Sequence, residues 1–284
     1  MLKVGFIGLG NMGEGMALNV ARAGFPLTVR DVRPEPIARL EAAGATAVPT
    51  NFEVGLRSDL VCVAVFDEQQ VREICLPHGA DAGVIAGLRA GGVVAIHSTV
   101  SADVSRELAR HGESKGVQVL DAPMTGGGDV AAREGKLTFF VGGSVDSFER
   151  ARPAFEAMTQ HRFHVGALGS GAATKIISNF LAISNTLIVR EALRLARGAG
   201  ITDERLLEVV NSGGVGSSWA SIHWQRIREQ EAHYTTGAAG MVAMATKDLN
   251  LAQALARETK TPMPALSALI ERALPDLKER SLTT

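Results

Sequence analysis

A doubly wound parallel α/β sheet followed by an all-helical domain, joined by one long helix, is the fold class predicted by three features of this 284-residue sequence. Short, almost wholly apolar runs alternate with helix-like segments through the first half. A glycine cluster, Gly8-Leu9-Gly10-Asn11-Met12-Gly13, follows the first run directly. Beyond Gly169 no strong strand signal remains.

The strands come first. Runs at 2–7, 27–30, 60–65, 93–97, 117–120 and 137–141 are nearly all apolar, with a last short one at 162–165. Strands apolar on both faces are covered on both faces, which is the condition of a parallel sheet. The stretches between them, such as 12–23 and 103–115, are rich in Ala, Leu, Arg and Glu and read as crossover helices. From 171 to 197 there is no proline and no internal glycine. Apolar residues recur there at helical spacing: Ile176, Ile177, Phe180, Leu181, Ile183, Leu187 and Ile188. Gly198 and Gly200 punctuate that helix. Further helices are predicted at 202–211, 217–231, 241–259 and 264–278. The boundary falls at 163–170, giving domains 1–166 and 167–284, and the first turns of the long helix are expected to face the cleft of the first domain.

Composition excludes several classes. Hydrophobic residues make up 46% and charged residues 21%, ordinary for a globular chain able to bury a substantial core. The net charge of −1 sets up no field favouring nucleic acid or an anionic membrane. Cys62 and Cys75 are the only cysteines, so reduced thiols rather than a disulfide framework are expected. The apolar N-terminus meets glycine too soon for a signal peptide. The most apolar long stretch, 176–189, is interrupted by Ser178, Asn179, Ser184 and Asn185, so no membrane span is expected. The cytoplasm is the expected location, or an organelle matrix if a presequence was removed.

The glycine cluster carries the first functional argument. A strand running into G-x-G-x-x-G and then a helix is the turn of a Rossmann-type dinucleotide site. Gly8 permits the tight turn, Gly10 lets the backbone approach a pyrophosphate, and Gly13 allows close helix–strand packing. The helix start offers N–H groups and a positive dipole end to the phosphates. Asp31, at the end of the second strand, lies 18 positions beyond Gly13. A carboxylate there accepts from ribose hydroxyls and repels a 2′-phosphate, which favours NAD over NADP. Arg30 and Arg33 flank it; each has the chemistry to pair with a phosphate, but a solvated loop is the simpler reading. A ligand-free glycine turn does not explain the motif's place at the head of an α/β pattern.

Two further constellations stand out. Lys175 and Asn179, four apart, share one face of the long helix and are polar among Ile176, Ile177 and Phe180. On the residues alone, a snorkelling lysine beside a capping amide is the simpler reading. If buried, the lysine's pKa falls toward proton-transfer chemistry. Thr125-Gly126-Gly127-Gly128 follows a strand end and Pro123; its backbone N–H groups and hydroxyl suit an anion, and an ordinary turn fits equally. The seven histidines show no metal-ligand spacing, so no metal is expected, and His111, His161 and His164 read as surface or loop residues.

Four segments in order resemble the β-hydroxyacid dehydrogenases, the family of 3-hydroxyisobutyrate dehydrogenase. They are Gly5-Phe-Ile-Gly-Leu-Gly-Asn-Met-Gly13, Asp121-Ala-Pro-Met-Thr-Gly-Gly127, Gly169-Ser-Gly-Ala-Ala-Thr-Lys-Ile-Ile-Ser-Asn179 and Lys247-Asp248-Leu249. The resemblance covers nearly the whole chain. It implies Lys175 as the catalytic residue, Thr125, Gly126 and Gly127 as the holders of a substrate carboxylate, and Asn179 as a substrate ligand that supports Lys175. For the cofactor it implies the turn Gly8 to Gly13 (with Leu9, Asn11 and Met12), Asp31, Phe66, Asp67 and Val71 on the adenosine side, Thr99 on the nicotinamide side, and Lys247 reaching back from the second domain. The implied reaction is hydride exchange between NAD and a small 3-hydroxy acid, with Lys175 taking or giving the proton.

Departures from the family pattern matter as well. Thr125 stands where most relatives have serine. The run Thr236-Gly237-Ala238 stands where relatives often have Pro-Gly-Phe, which leaves space for a bulkier substrate. The loop 211–219 is expected to close over substrate without a basic residue, and Trp219 reads as a core residue. The weaker alternatives are an imine reductase on the same scaffold, against which Lys175 argues, and a non-catalytic dinucleotide-binding protein. The long helix is apolar on more than one face, so a homodimer or homotetramer is expected.

Overall fold

The computed structural model describes residues 1–233 and 237–280. The chain divides into two compact units, Met1–Lys175 and Ile176–Thr284.

In the first unit the elements run β1 (Val4–Ile7), α1 (Gly13–Arg22), β2 (Leu27–Arg30), α2 (Pro34–Ala42), β3 (Thr46–Ala47), α3 (Asn51–Leu56), β4 (Leu60–Val63), α4 (Glu68–Cys75), α5 (Gly83–Gly87), β5 (Val93–Ile96), α6 (Ala102–Glu113), β6 (Gln118–Asp121), β7 (Met124–Thr125), α7 (Gly128–Arg133), β8 (Leu137–Gly142), α8 (Val145–Met158) and β9 (Thr159–Gly166). They form one sheet in the order β3-β2-β1-β4-β5-β6-β8-β7, with β9 beside β8. The strands from β3 to β6 are parallel, and Ile7, Val63, Ile96 and Asp121 end in register on one edge. Alternate residues feed two cores. Val4, Phe6, Leu60, Cys62 and Ala95 pack on one face; Val61, Val63, Val94 and Ile96 pack on the other. Both faces are dry, which is why the sequence runs are continuously apolar.

The sheet is not parallel throughout. β8 pairs antiparallel with both β6 and β7, and β9 then returns parallel to β8. The chain leaves β6 and re-enters β8 from the same edge, because the segment between them holds only β7 and the short α7 instead of a full crossover. Two-residue strands such as β3 and β7 are too short to show a period of two in sequence.

α9 (Ser170–Gly198) begins in the first unit and continues through the second. By length and composition it is the one helix among the described residues long and apolar enough to cross a membrane. After it come α10 (Asp203–Gly213), α11 (Trp219–Ile222), α12 (Trp224–His233), α13 (Gly237–Glu258), α14 (Pro264–Ala268) and α15 (Leu274–Arg280). The single helix expected over 217–231 is two: Ser218 caps α11 through a capping box, and His223 leaves the helical region at φ −110°, ψ 24°. The helix expected over 264–278 carries a π turn at Leu269–Ala273. Pro275 has no N–H to donate one turn back, and the ladder widens just before it.

Ile183, Leu187, Val242, Leu249, Leu266 and Leu277 form the main core of the second unit. Arg190 is buried there. Its Nη1 donates to Asp276 Oδ2 at 2.6 Å, and Arg194 Nη1 reaches the same oxygen at 2.8 Å.

Candidate functional site

The glycine turn sits where β1 gives way to α1. Gly8 has φ +89°, and a Cβ there would lie 2.3 Å from the Ala64 carbonyl oxygen. A Cβ on Gly13 would lie 1.9 Å from the Gly8 carbonyl oxygen. Both positions are therefore closed to any larger residue. Gly10 differs: the nearest atom to a Cβ there is Arg33 Nη2, at 3.9 Å. Its bare face is open, as a backbone approached by phosphate must be. Leu9 has its side chain in the core, Met12 is half-buried and Asn11 is exposed.

β2 runs beside β1 and delivers Asp31 to this turn. Asp31 Oδ2 accepts the Leu9 N–H at 2.5 Å; Oδ1 accepts the N–H of Arg33 at 2.8 Å and its Nε at 3.2 Å. Burial pushes the Asp31 carboxyl up, but these donors outweigh it and hold it below the usual carboxylate value. Arg33 is no free loop residue: its Nη2 donates to the Leu9 carbonyl at 2.9 Å.

The exits of β4 and β5 complete this edge. Ser98 Oγ accepts the Val65 N–H at 2.9 Å and ties them together. Phe66 is exposed, Asp67 caps α4 by accepting the Gln70 N–H at 2.9 Å, and Thr99 is half-buried. Val71 departs from expectation. It is fully buried with Ile74 and Cys75, on the inward face of α4. The change of winding direction between β2-β1 and β4 places these exits around a switch-point crevice, where open α/β sheets bind ligands.

Asp121 ends β6 and was not singled out as a site residue in the sequence. It is almost wholly buried, and it accepts the N–H groups of Gly169 at 2.7 Å and Ala172 at 2.6 Å. Burial raises its carboxyl pKa against the pull of those donors. The first turn of α9 is thus fastened to the sheet edge, and Lys175, half-buried, follows Ala172 by three residues. The fit is close: Cβ atoms on Gly142 or Gly171 would lie 2.6 and 2.9 Å from the Asp121 carboxylate oxygens. The neighbouring turn holds Gly126, Gly127 and Gly128 at φ +136°, +105° and +82°, so its amides follow a path only glycine takes easily. Thr125 is half-buried at the start of that turn.

In the second unit, Asn179 Nδ2 donates to Asp248 Oδ2 at 2.7 Å. Lys247 Nζ stands 2.9 Å from Asp248 Oδ1. Asp248 is thereby the organiser of both family-pattern residues, although only its motif neighbour Lys247 was legible as a candidate. Ala238 lines a groove of about 590 Å³ with Val242, Thr246, Lys247 and Leu277; Thr236 lies outside the described residues. The connection expected over 211–219 is shorter, 214–218, and Asn211 in the last turn of α10 and Ser221 in α11 close its base, with Ser221 Oγ donating to Asn211 Oδ1 at 2.7 Å. Trp219 is not a core residue. It is half-exposed and stacks on His223 at 4.8 Å, while Trp224 fills the core beside Leu193 and Ile227. His111, His161 and His164 lie at the surface, the last two on β9. Among the described residues no group of three His, Cys, Asp or Glu side chains stands together to hold a metal.

Known proteins match both units. The family model described as the NAD binding domain of 6-phosphogluconate dehydrogenase matches residues 3–166. The one described as NAD-binding of NADP-dependent 3-hydroxyisobutyrate dehydrogenase matches residues 169–279. Mitochondrial 3-hydroxyisobutyrate dehydrogenase of Mus musculus is 34% identical over 265 residues, 92% of this chain and 77% of that protein. The NAD-dependent L-serine dehydrogenase of Pseudomonas aeruginosa is 33% identical over 280 residues, 96% of this chain and 92% of that protein. The crystal structure of 3-hydroxyisobutyrate dehydrogenase from Salmonella typhimurium superposes with a TM-score of 0.84 at 29% identity, over 98% of this chain and 95% of that one. Matched by these models and relatives over both units, the chain belongs to the β-hydroxyacid dehydrogenase family, of the 3-hydroxyisobutyrate dehydrogenase type.

Proposed function

We propose that this chain is an NAD-dependent dehydrogenase of small 3-hydroxy acids, or the reductase of the corresponding semialdehydes or keto acids. The observation that carries the reading is the pairing of an open Gly10 cradle with a lysine one turn beyond the Asp121-fastened start of α9. We assign dinucleotide binding to residues 1–166, and substrate binding and oligomerisation to 167–284. The relatives named above act on 3-hydroxyisobutyrate and L-serine, and both substrates carry a hydroxyl two carbons from a carboxylate.

Bound NAD supplies the hydride acceptor, and its reduced form the donor. The chain's own residues do the rest. Amides of Gly126 and Gly127 and the Thr125 hydroxyl hold the substrate carboxylate. Lys175 Nζ takes the proton from the substrate hydroxyl in oxidation and returns it to the oxygen in reduction. Asp248 holds the Asn179 amide by a hydrogen bond, and we assign Asn179 to the substrate by the family resemblance. Lys247 serves the cofactor from the second unit. Asp31, Phe66, Asp67 and Thr99 border the cofactor, while Val71 backs them from the core. Lys175 is also what disfavours the imine reductase reading, and together with Asn179 and Lys247 it disfavours a non-catalytic binder. Ala238, in place of the phenylalanine that the family resemblance implies there, supports acceptance of a larger side chain on the substrate.

The test follows NADH formation with a panel of 3-hydroxy carboxylates graded in side-chain size, using wild type, Lys175→Ala and Ala238→Phe. Oxidation of one carboxylate with NAD, lost by at least about a thousandfold in Lys175→Ala, is expected. Undiminished turnover in that variant, or turnover of no hydroxy acid by wild type, overturns the reading.

We also infer a homodimer or homotetramer. Ile177, Leu181, Ile188 and Leu195 lie along one stripe of α9, the last three at seven-residue spacing, and all are more than half exposed. Such a stripe on a helix that also pairs Asn179 with Asp248 and Arg190 with Asp276 fits a subunit interface better than lipid. Sedimentation showing a monomer, or an assembly unaffected by Ile188→Glu, counts against it. Two buried, unpaired thiols and a net charge of −1 support a cytoplasmic protein with no nucleic-acid or membrane partner.

A further inference from the structure

Asp31 and Arg33 together present an unusual face at the adenosine end of the glycine turn. The Asp31 side chain is only 7% exposed, whereas that of Arg33 is 49% exposed. A carboxylate has about four acceptor positions. Three of those on Asp31 are taken, by Leu9 N–H, Arg33 N–H and Arg33 Nε. The carboxylate is therefore turned inward and largely spent. Arg33 engages the next peptide of the turn, with Nη2 on the Leu9 carbonyl and beside the bare face of Gly10. The group offered outward at this corner is a guanidinium.

Neighbouring charges agree. Glu14, in the first turn of α1, is engaged by Arg39 through a two-point contact at 2.5 and 2.9 Å. Arg133 and Arg33 also act on that carboxylate. Arg133 has its own carboxylate neighbour in Asp129, at 3.9 Å, and both Asp31 and Glu14 are already paired with arginines, so the outward edge of Arg33 is the charge left at this corner. An NAD-only corner works by exposing an unneutralised carboxylate to the ribose hydroxyls, which repels a 2′-phosphate. That repulsion is cancelled here, and a planar donor set suited to phosphate stands in its place.

We propose that Arg33 is a cofactor-specificity residue that opens this site to 2′-phosphorylated adenine dinucleotides, so that the chain takes NADP as well as NAD. The inference rests on the dinucleotide reading above and goes beyond it by naming a second cofactor and the residue that admits it. Arg33 is built for both cofactors. Its bonds to Asp31 and Leu9 hold it in place over an unphosphorylated ribose, and its outer edge is available to a phosphate oxygen.

The test is equilibrium binding, read by calorimetry on the full chain without substrate. NADH and NADPH are titrated against wild type, Arg33→Ala and Arg33→Gln; the glutamine retains a donor for the Leu9 carbonyl. Wild type is expected to bind NADPH within about thirtyfold of NADH, and both variants to lose NADPH affinity at least about tenfold while NADH changes less than about threefold. Adenosine 2′,5′-bisphosphate is expected to outcompete AMP in wild type and to lose that advantage in the variants. NADPH binding weaker than that limit, or an equal loss of both dinucleotides on removing Arg33, overturns the proposal. Equal loss would make Arg33 a brace for the glycine turn. If wild type binds neither dinucleotide, the dinucleotide reading falls and the proposal with it.

Discussion

Asp121 Oδ2 accepts the backbone N–H of Ala172 at 2.6 Å, and through that bond the end of β6 holds the helical turn that precedes Lys175. The partners are 51 residues apart, so the contact ties the sheet edge to the start of α9 across a long stretch of chain. Asn at 121 keeps the shape but turns an N–H₂ or a weaker acceptor toward two backbone donors. Asp121→Asn is expected to lower kcat roughly tenfold to a hundredfold, because small displacements of a proton-transfer group are costly, while NADH affinity changes less than about threefold. Asp121→Glu is expected not to rescue, since Gly142 and Gly171 leave no space for a longer side chain. Steady-state kinetics beside thermal melts checks this; a fall in stability with kcat unchanged counts against a positioning role.

The three glycines of the turn are predicted to fail differently. A Cβ at position 13 meets the Gly8 carbonyl oxygen at 1.9 Å, so Gly13→Ala must displace backbone and is expected to cost about 3 kcal/mol or more. A Cβ at position 10 meets nothing closer than 3.9 Å, so Gly10→Ala is expected to fold normally yet bind NADH at least about tenfold more weakly. Denaturant titration and NADH binding on both variants distinguish a structural glycine from a ligand-facing one. Normal binding by Gly10→Ala refutes the cradle.

His97 predicts an acid limit to stability. Its ring lies among Phe6, Phe139 and Phe155, with Nδ1 2.7 Å from the Ala122 carbonyl oxygen and Nε2 without a partner. Burial pushes its pKa down to about 4 from 6.5. The folded state resists a proton that the unfolded chain accepts, so this stability is full above pH 6.5 and is lost as pH falls toward 4. The loss amounts to about 3 kcal/mol at about 1.4 kcal/mol per pH unit. Urea unfolding across that range, repeated with His97→Asn, checks the prediction; an equal slope in the variant places the acid sensitivity elsewhere.

Arg190 makes the helical unit dependent on Asp276. The guanidinium is buried, and among the described residues its Nη1 bond to Asp276 is its one carboxylate contact. Asp276→Asn leaves a buried charge without its counter-ion and is expected to cost about 3 kcal/mol. Arg190→Met in the same background is expected to recover much of that, because the apolar side chain needs no partner. A double-mutant cycle by thermal unfolding measures the coupling; additive effects show that the pair is not coupled.

Much of this protein was legible in its sequence. β1, β2, β4, β5, β6 and β8 appear as apolar runs because both faces of the sheet are buried, and burial on both faces leaves a local mark. The Gly8, Gly10 and Gly13 turn is legible because its spacing is itself the geometry. The long helix α9 is legible because 3.6-residue periodicity survives over 29 residues. What tertiary structure alone decided are relations between residues far apart in the chain. β8 joins β6 antiparallel because the intervening segment is too short for a crossover. Asp121 and Asp248 become organisers only when folding brings them to Ala172 and Asn179. Val71 falls on the inward face of α4 and Trp219 on an outer face of α11, although both are apolar and sequence type does not choose between those faces. Arg33, which reads as a solvated loop residue, is drawn onto Leu9 because β2 pairs with β1 and carries Asp31 to the glycine turn. Local periodicity follows from which faces are dry; the partners of a charge follow from strand pairing and helix packing, which no short window of sequence contains.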